Sequence, residues 1–387
     1  MRFRNFVIAA LLAASIAPAR AQNMDVHSNI VVLVSVDGLA AYYFDDPKAE
    51  MPNIHALAAA GARAKSMKAV APTVTWPNHT TLVTGVTPAV HGVVGNNYYD
   101  REKKEQITLI FDPVLDKEQI VKVPTIYDIA KLNGLTTAAF NWPGSRNAKN
   151  LDWTTPEVHK TDLYQRYTTP AVLDLCRDNG FSLVDEIFPS GVRKHENETD
   201  GVNLRVLKLI IANKHPNLAL LHLGNPDHVQ HDKGPKSQQA YAAIKEADER
   251  IGEIWKALQQ DFPGRATIFV VSDHGFSPIK SIILPNVVLN KAGLVQVKGN
   301  KVTTGSVRFV SQAGAGLVYV LDDKNRKDVM KQVEKAFGHL KGISKVVHTG
   351  DLKKYGVGNP KDDPHAPDMV LFAEEGYTFG DTAGGDV

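Results

Sequence analysis

Three short clusters of Asp and His each follow an apolar run. They are Asp37-Gly38 after Ile30 to Val36, Asn225-Pro-Asp-His-Val-Gln-His231 after Leu218 to Leu223, and Ser272-Asp-His-Gly275 after Ala266 to Val271. Asp and His without Cys form a ligand set suited to a hydrolytic zinc site. Asp227 and His231 are four apart, so one helical turn puts both on one face. Asp273 and His274 are adjacent and need a bend at Gly275 to aim at one ion. An acid after a strand is by default a helix cap, taken alone. Three such clusters at one edge of one sheet are harder to explain that way. A fourth cluster is Pro72-Thr-Val-Thr-Trp-Pro-Asn-His-Thr80, where Pro77 reads as the first turn of a helix. Thr75 then sits at a helix N-terminus, which attracts anions. A metal-bound hydroxyl there could ionise and attack phosphorus; the bland alternative is that Thr75 only caps the helix.

The elements that must position these residues alternate between strand and helix. The three apolar runs read as strands buried on both faces, with a further strand at Leu135 to Phe140. Helical patterns occupy Met51 to Ala60, Thr125 to Leu132, Gly201 to Ala212 and Ser237 to Leu258. Alternation of this kind predicts an α/β fold, a mostly parallel central sheet with helices on both faces. Ligands then bind beyond the carboxyl ends of the strands. Residues 277–312 are less regular and suggest a small insertion or cap.

The sequence holds 44 Lys+Arg against 42 Asp+Glu, and no long block of one sign. That argues against a dedicated binder of nucleic-acid polymer, which needs a basic stripe. The first residues resemble a targeting segment. Arg2 and Arg4 precede the apolar run Phe6 to Leu12, and Ala19-Arg20-Ala21 fits a cleavage site. Residues 1–21 read as a signal peptide and 22–387 as the catalytic domain, exported to the periplasm or secreted. No stretch is long and apolar enough for a transmembrane helix. The lone cysteine, Cys176, excludes an internal disulfide and reads as a buried structural thiol.

Taken together, the motifs resemble the nucleotide pyrophosphatase/phosphodiesterase family of the alkaline phosphatase superfamily. The matching pieces run in family order: Val34-Ser-Val-Asp37-Gly, Pro72 to Gly85, His91-Gly-Val-Val-Gly-Asn96, Asn141-Trp-Pro-Gly-Ser145, Asn225-Pro-Asp227 with His231, and Ser272-Asp273-His274-Gly275. The resemblance implies an alkaline phosphatase-like fold and two zinc ions. One would be held by Asp37, Thr75, Asp273 and His274, the other by Asp227, His231 and a further histidine. Thr75 would be the nucleophile of a phosphothreonine intermediate. Asn96 would hydrogen-bond a nonbridging phosphate oxygen, with the backbone N–H of Trp76 beside it. The implied substrate is a small-molecule phosphodiester or pyrophosphate, nucleotides included. Trp76 and His222 stand where the family places the aromatic walls of a nucleobase pocket. His79 and His91 fit supporting positions, and His228 is expected to face away.

The pattern is departed from at the C-terminal end. The family's last ligand is a His after a strand like Met369 to Phe372, and residues 378–387 contain none. On this reading the catalytic domain is cut short there. His365 precedes that strand and is rejected as a substitute, since the strand's length separates it from the expected place. Two alternatives remain open: a phosphomonoesterase that uses Arg146 and Lys149 to hold a dianion, and a non-catalytic binder of metal or phosphate ester.

Overall fold

The computed structural model describes residues 26–110 and 115–385. The signal-peptide reading of residues 1–21 lies outside the described residues.

The central sheet has five strands, in the order Trp153–Pro156, Thr137–Trp142, Leu218–Leu223, Ile30–Val36, Ala266–Val271. Every pairing is parallel. Strand period two divides the core between the faces. Val32, Val34 and Val36 point to one side, into a cluster with Leu207, Ile210, Ile251 and Leu258. Those partners come from the helices Glu196–Lys214 and Gln238–Asp261. Leu33 points to the other side, packing with Val83, Tyr127 and Ala130. Cys176 belongs to the first cluster and is fully buried, and burial pushes its thiol up to about 11.

The strand Ala266–Val271 differs from the reading given above. It is the edge of the sheet and is only partly covered, with Phe269 52% exposed. An apolar run suits a buried strand and an uncovered edge equally, because periodicity does not record neighbours.

A second sheet is antiparallel, in the order Val307–Gln312, Ala315–Val320, Met369–Ala373, Ile343–His348. The helix Arg326–Phe337 packs on it through Val329, Val333 and Phe337. Residues 277–312 are therefore no separate cap. Their last strand pairs with Ala315–Val320, and the lobe runs on through Ala373. Its other side packs on Trp76, Val93, Tyr98 and Ile107, close to the Thr75 segment.

Candidate active site

Asp37 ends the first strand, and its N–H donates to the Leu223 carbonyl of the neighbouring strand at 2.9 Å. Gly38 turns the chain away at φ 69°, and a Cβ there would meet the Phe276 ring at 2.7 Å. Glycine is required on both counts. The Gly38 N–H donates to Asp273 Oδ1 at 3.3 Å, and Gln230 Nε2 donates to the Gly38 carbonyl at 3.0 Å. One dipeptide thus ties together the ends of three strands.

Asp37, Asp273 and His274 converge, with one ligand atom from each lying within 4.8 Å of the others. His274 Nδ1 lies 3.2 Å from the Gly275 carbonyl, an acceptor, so that nitrogen carries the proton in the neutral ring. Its Nε2 is left as a lone pair. It faces Asp37 Oδ1 at 3.3 Å, Asp273 Oδ2 at 3.5 Å and Asp227 Oδ1 at 3.8 Å. Those same three oxygens are buried and accept no hydrogen bond. Four lone-pair donors crowded together in this way form a set that a shared cation would satisfy. Asp37 reports this strain: burial first, then repulsion from Asp227 and Asp273, holds its carboxyl well above the usual range. The donor set, carboxylate and imidazole, fits zinc.

Asp227 and His231 lie on the helix Asn225–Lys233, with His231 Nε2 3.4 Å from Asp227 Oδ1. Asp200 holds the start of that helix. It accepts the N–H groups of Gly224 and Asn225, both at 3.0 Å. This pair is more open than the first, since the His231 side chain is 66% exposed.

Thr75 is the first residue of the helix Thr75–Thr84, and the preceding Val74 makes no side-chain cap. The capping explanation for Thr75 therefore lapses, since the residue lies inside the helix. Asn78 clamps the approach instead: its Oδ1 accepts from Val70 N–H at 2.8 Å, and its Nδ2 donates to the carbonyls of Pro72 and Val74. Thr75 lines the same cleft as Asp37, Asp273 and His274. Asn96 lines it too, and its Oδ1 accepts the Trp76 N–H at 2.9 Å. That contact commits the oxygen and leaves Nδ2, a donor, without a protein partner among the described residues. The Trp76 N–H, expected beside phosphate, is occupied by Asn96.

One aromatic assignment is corrected, and the other residue lines the cleft in a different role. The Trp76 ring is 1% exposed and belongs to the apolar cluster under the second sheet, so it is no wall of the cleft. His222 is 3% exposed, with Nδ1 3.0 Å from the Asn141 carbonyl and Nε2 3.0 Å from Asp37 Oδ2. It orients Asp37, and burial pushes its pKa down. His79 is fully buried behind Asp273, with Nδ1 2.9 Å from the Thr75 carbonyl, and burial lowers it to about 3. His91 is also buried, lowered to about 4, with Nδ1 accepting the Val93 N–H. His228, expected to face away, sits on the cleft rim. His365 stacks on Tyr98 outside the cleft. Arg146 is bound to Asp116, and neither it nor Lys149 lines the cleft.

The cleft is an open groove of about 1850 Å³ that runs from these residues along the edge strand. Among the charged or titratable residues lining it that sequence motifs did not single out are Glu157, His159, Arg193 and Glu196, with Arg63 and Lys65 on another wall. Arg193 forks onto Glu196, while burial, reinforced by Glu196, pushes Glu157 up to about 8. The position of Glu157 just past the strand end at Pro156 was the available signal.

A parallel sheet with acids and histidines beyond its carboxyl edge, and a threonine at a helix start facing them, is an alkaline phosphatase-like α/β fold. The sequence profile of the type I phosphodiesterase/nucleotide pyrophosphatase family matches residues 31–386, and the chain belongs to that family. Its relatives include the venom phosphodiesterase of Naja atra, 30% identical over 64% of this chain and 26% of the venom protein. Ectonucleotide pyrophosphatase/phosphodiesterase family member 3 of Mus musculus is 28% identical over 63% and 24%. The chain thus spans about a quarter of the length of these curated relatives. Among solved structures, murine ectonucleotide pyrophosphatase/phosphodiesterase 5, as an inactive form with AMP, matches at TM-score 0.64 and 19% identity. That match covers 91% of this chain and 80% of the other. Phosphonoacetate hydrolase of Sinorhizobium meliloti, with phosphonoacetate, matches at 0.66 and 18%, covering 92% and 83%. These two likenesses concern the fold.

Proposed function

We propose that this chain is an exported, metal-dependent hydrolase of phosphodiester or pyrophosphate bonds. The carrying observation is the set of unpartnered oxygens on Asp37, Asp227 and Asp273 around His274 Nε2, in the cleft that Thr75 lines. Asp37, Thr75, Asp273 and His274 would hold one zinc, and Asp227 with His231 would take part in holding a second. Bound zinc would supply Lewis acidity, favouring the alkoxide of a threonine whose own pKa lies far above 7 and stabilising the leaving oxygen.

The protein's own residues do the rest. Thr75 Oγ1 attacks phosphorus, the P–O bond to the leaving alcohol breaks, and the alcohol departs with a proton. Water then hydrolyses the phosphothreonine, returning the Thr75 hydroxyl and releasing a phosphomonoester. Asn96 Nδ2, fixed by the Trp76 N–H, donates to a nonbridging oxygen as charge grows there. His222 and Gly38 keep Asp37 and Asp273 aimed without joining the chemistry.

A diester is the reading kept because Arg146 and Lys149, the cations named for a dianion, stay outside the cleft; of the cations that do line it, Arg193 is paired with Glu196 and Arg63 with Asp45, and Lys65 is the third. Trp76 lies outside the cleft, and His222 lines it with both ring nitrogens committed to Asn141 and Asp37, so the more open rings for a nucleobase are those of Tyr42, Phe44 and Phe276. The test compares bis-p-nitrophenyl phosphate with p-nitrophenyl phosphate on the zinc-loaded protein. Faster turnover of the diester supports the reading. Preference for the monoester, or turnover of neither, overturns it.

A further inference from the structure

Asn96 stands on a loop, not on a rigid element. Its backbone lies between the helix Pro88–His91 and the strand Asn97–Asp100. Transition-state donors must be held to a fraction of an ångström. The Trp76 N–H fixes only the side-chain oxygen of Asn96, and Leu109 N–H bonds its carbonyl at 2.9 Å.

Ile110 N–H shares that carbonyl at 3.3 Å, and a further restraint, on the Asn96 N–H, comes from the second sheet, 216 residues away in sequence. Gln312 ends the strand Val307–Gln312 and is 3% exposed. Its Oε1 accepts the Asn96 N–H at 2.8 Å, and its Nε2 donates to the Asn97 carbonyl at 2.8 Å. One primary amide thus spans the Asn96–Asn97 dipeptide, binding the N–H at its start and the carbonyl at its end. Gly95 makes this approach possible: a Cβ there would lie 2.6 Å from Gln312 Oε1. Burial makes the contact expensive to lose, because two backbone groups and an amide would be left unsatisfied.

We infer that Gln312 is a positioning residue for Asn96, by which the antiparallel lobe sets the geometry of phosphoryl transfer in the parallel one. The inference rests on the hydrolase reading for its kinetic consequence, but not for the contact itself.

The test is a double-mutant cycle on the zinc-loaded full chain with bis-p-nitrophenyl phosphate. Gln312→Leu should lower kcat about 10-fold, with KM and zinc content near wild type. Asn96→Ala should lower kcat by about 10²–10³-fold. The double variant should be no slower than Asn96→Ala alone, because Gln312 then has nothing left to position. Gln312→Glu keeps an acceptor for the Asn96 N–H but loses the donor to the Asn97 carbonyl, and should recover only part of the lost rate. If the two single losses multiply, Gln312 acts independently of Asn96 and the inference is wrong. If wild type turns over no diester, the functional reading fails, and backbone hydrogen exchange decides the inference alone. Exchange at Asn96 should speed up in Gln312→Leu while exchange at Val34 stays unchanged. Unchanged exchange at Asn96 overturns the contact, as does equal acceleration at both sites.

Discussion

Thr75 begins its helix without capping it, so its hydroxyl carries no structural duty that a substitution would disturb. Thr75→Ala should abolish diester turnover while changing stability by less than about 1 kcal/mol, measured by urea unfolding beside steady-state kinetics. Retention of a substantial fraction of wild-type rate would remove Thr75 as nucleophile. Elsewhere, Lys117 and Asp128 form a buried ion pair at 2.6 Å, and Asp128 also accepts from Thr125 and Asn150. Burial raises the Asp128 pKa, but Lys117 and these donors outweigh it and hold the carboxyl below its ordinary value. A depressed folded pKa gives stability that is present above the unfolded pKa and disappears as pH falls through the folded one. Asp128→Asn should therefore cost about 3 kcal/mol near pH 7, and the gap to wild type should close below the ordinary carboxylate range. Urea midpoints of both proteins across pH 3 to 7 provide the check; a gap independent of pH contradicts the assignment.

At the scale of elements, the helix Asn225–Lys233 is held at its start by Asp200 from the helix Glu196–Lys214. Asp200→Ala releases two helix N–H groups and should weaken zinc binding through Asp227 and His231, with little effect at Asp37, Asp273 and His274. Competitive chelator titration separates the two sites; equal weakening at both would mean that Asp200 supports the fold in general. The edge strand Ala266–Val271 has the opposite character. Phe269 is 52% exposed beside unpaired backbone, a template for pairing with other chains. Phe269→Lys should change stability by no more than about 0.5 kcal/mol and reduce self-association, followed by light scattering. A marked drop in melting temperature would show that Phe269 is packed in solution.

For the molecule as a whole, metal content follows from how many ligands each site can muster. Asp37, Asp273 and His274 meet with Thr75 in one cleft, a full tetrahedral set by number. Among the described residues Asp227 and His231 bring two ligands, where a catalytic zinc normally has three. After dialysis against dilute chelator, the 387-residue chain should hold about one zinc, the second returning only at high metal concentration. Two firmly held zinc ions by elemental analysis would mean that a third ligand exists, and His228 on the rim is the first to replace.

The candidate site residues were legible in the sequence because each cluster is local. Asp37, Asp227 and Asp273-His274 directly follow β-forming runs, and a strand's carboxyl end is fixed by the run itself. The Thr75 motif likewise carries its own helix start, with Asn78 folding back on residues 70 to 74. What lies beyond those ends is set by long-range packing, which no local pattern records. Trp76 and His222 read as pocket walls by type and place. Only the approach of the second sheet and of Asp37 turned one into core and the other into a carboxylate's partner. The strand Ala266–Val271 reads as buried because it is apolar, while its place at the edge depends on strand order. Gln312 has no motif at all. Its role arises because a chain separated by 216 residues brings one amide against the loop of Asn96, and burial allows that amide no water in exchange.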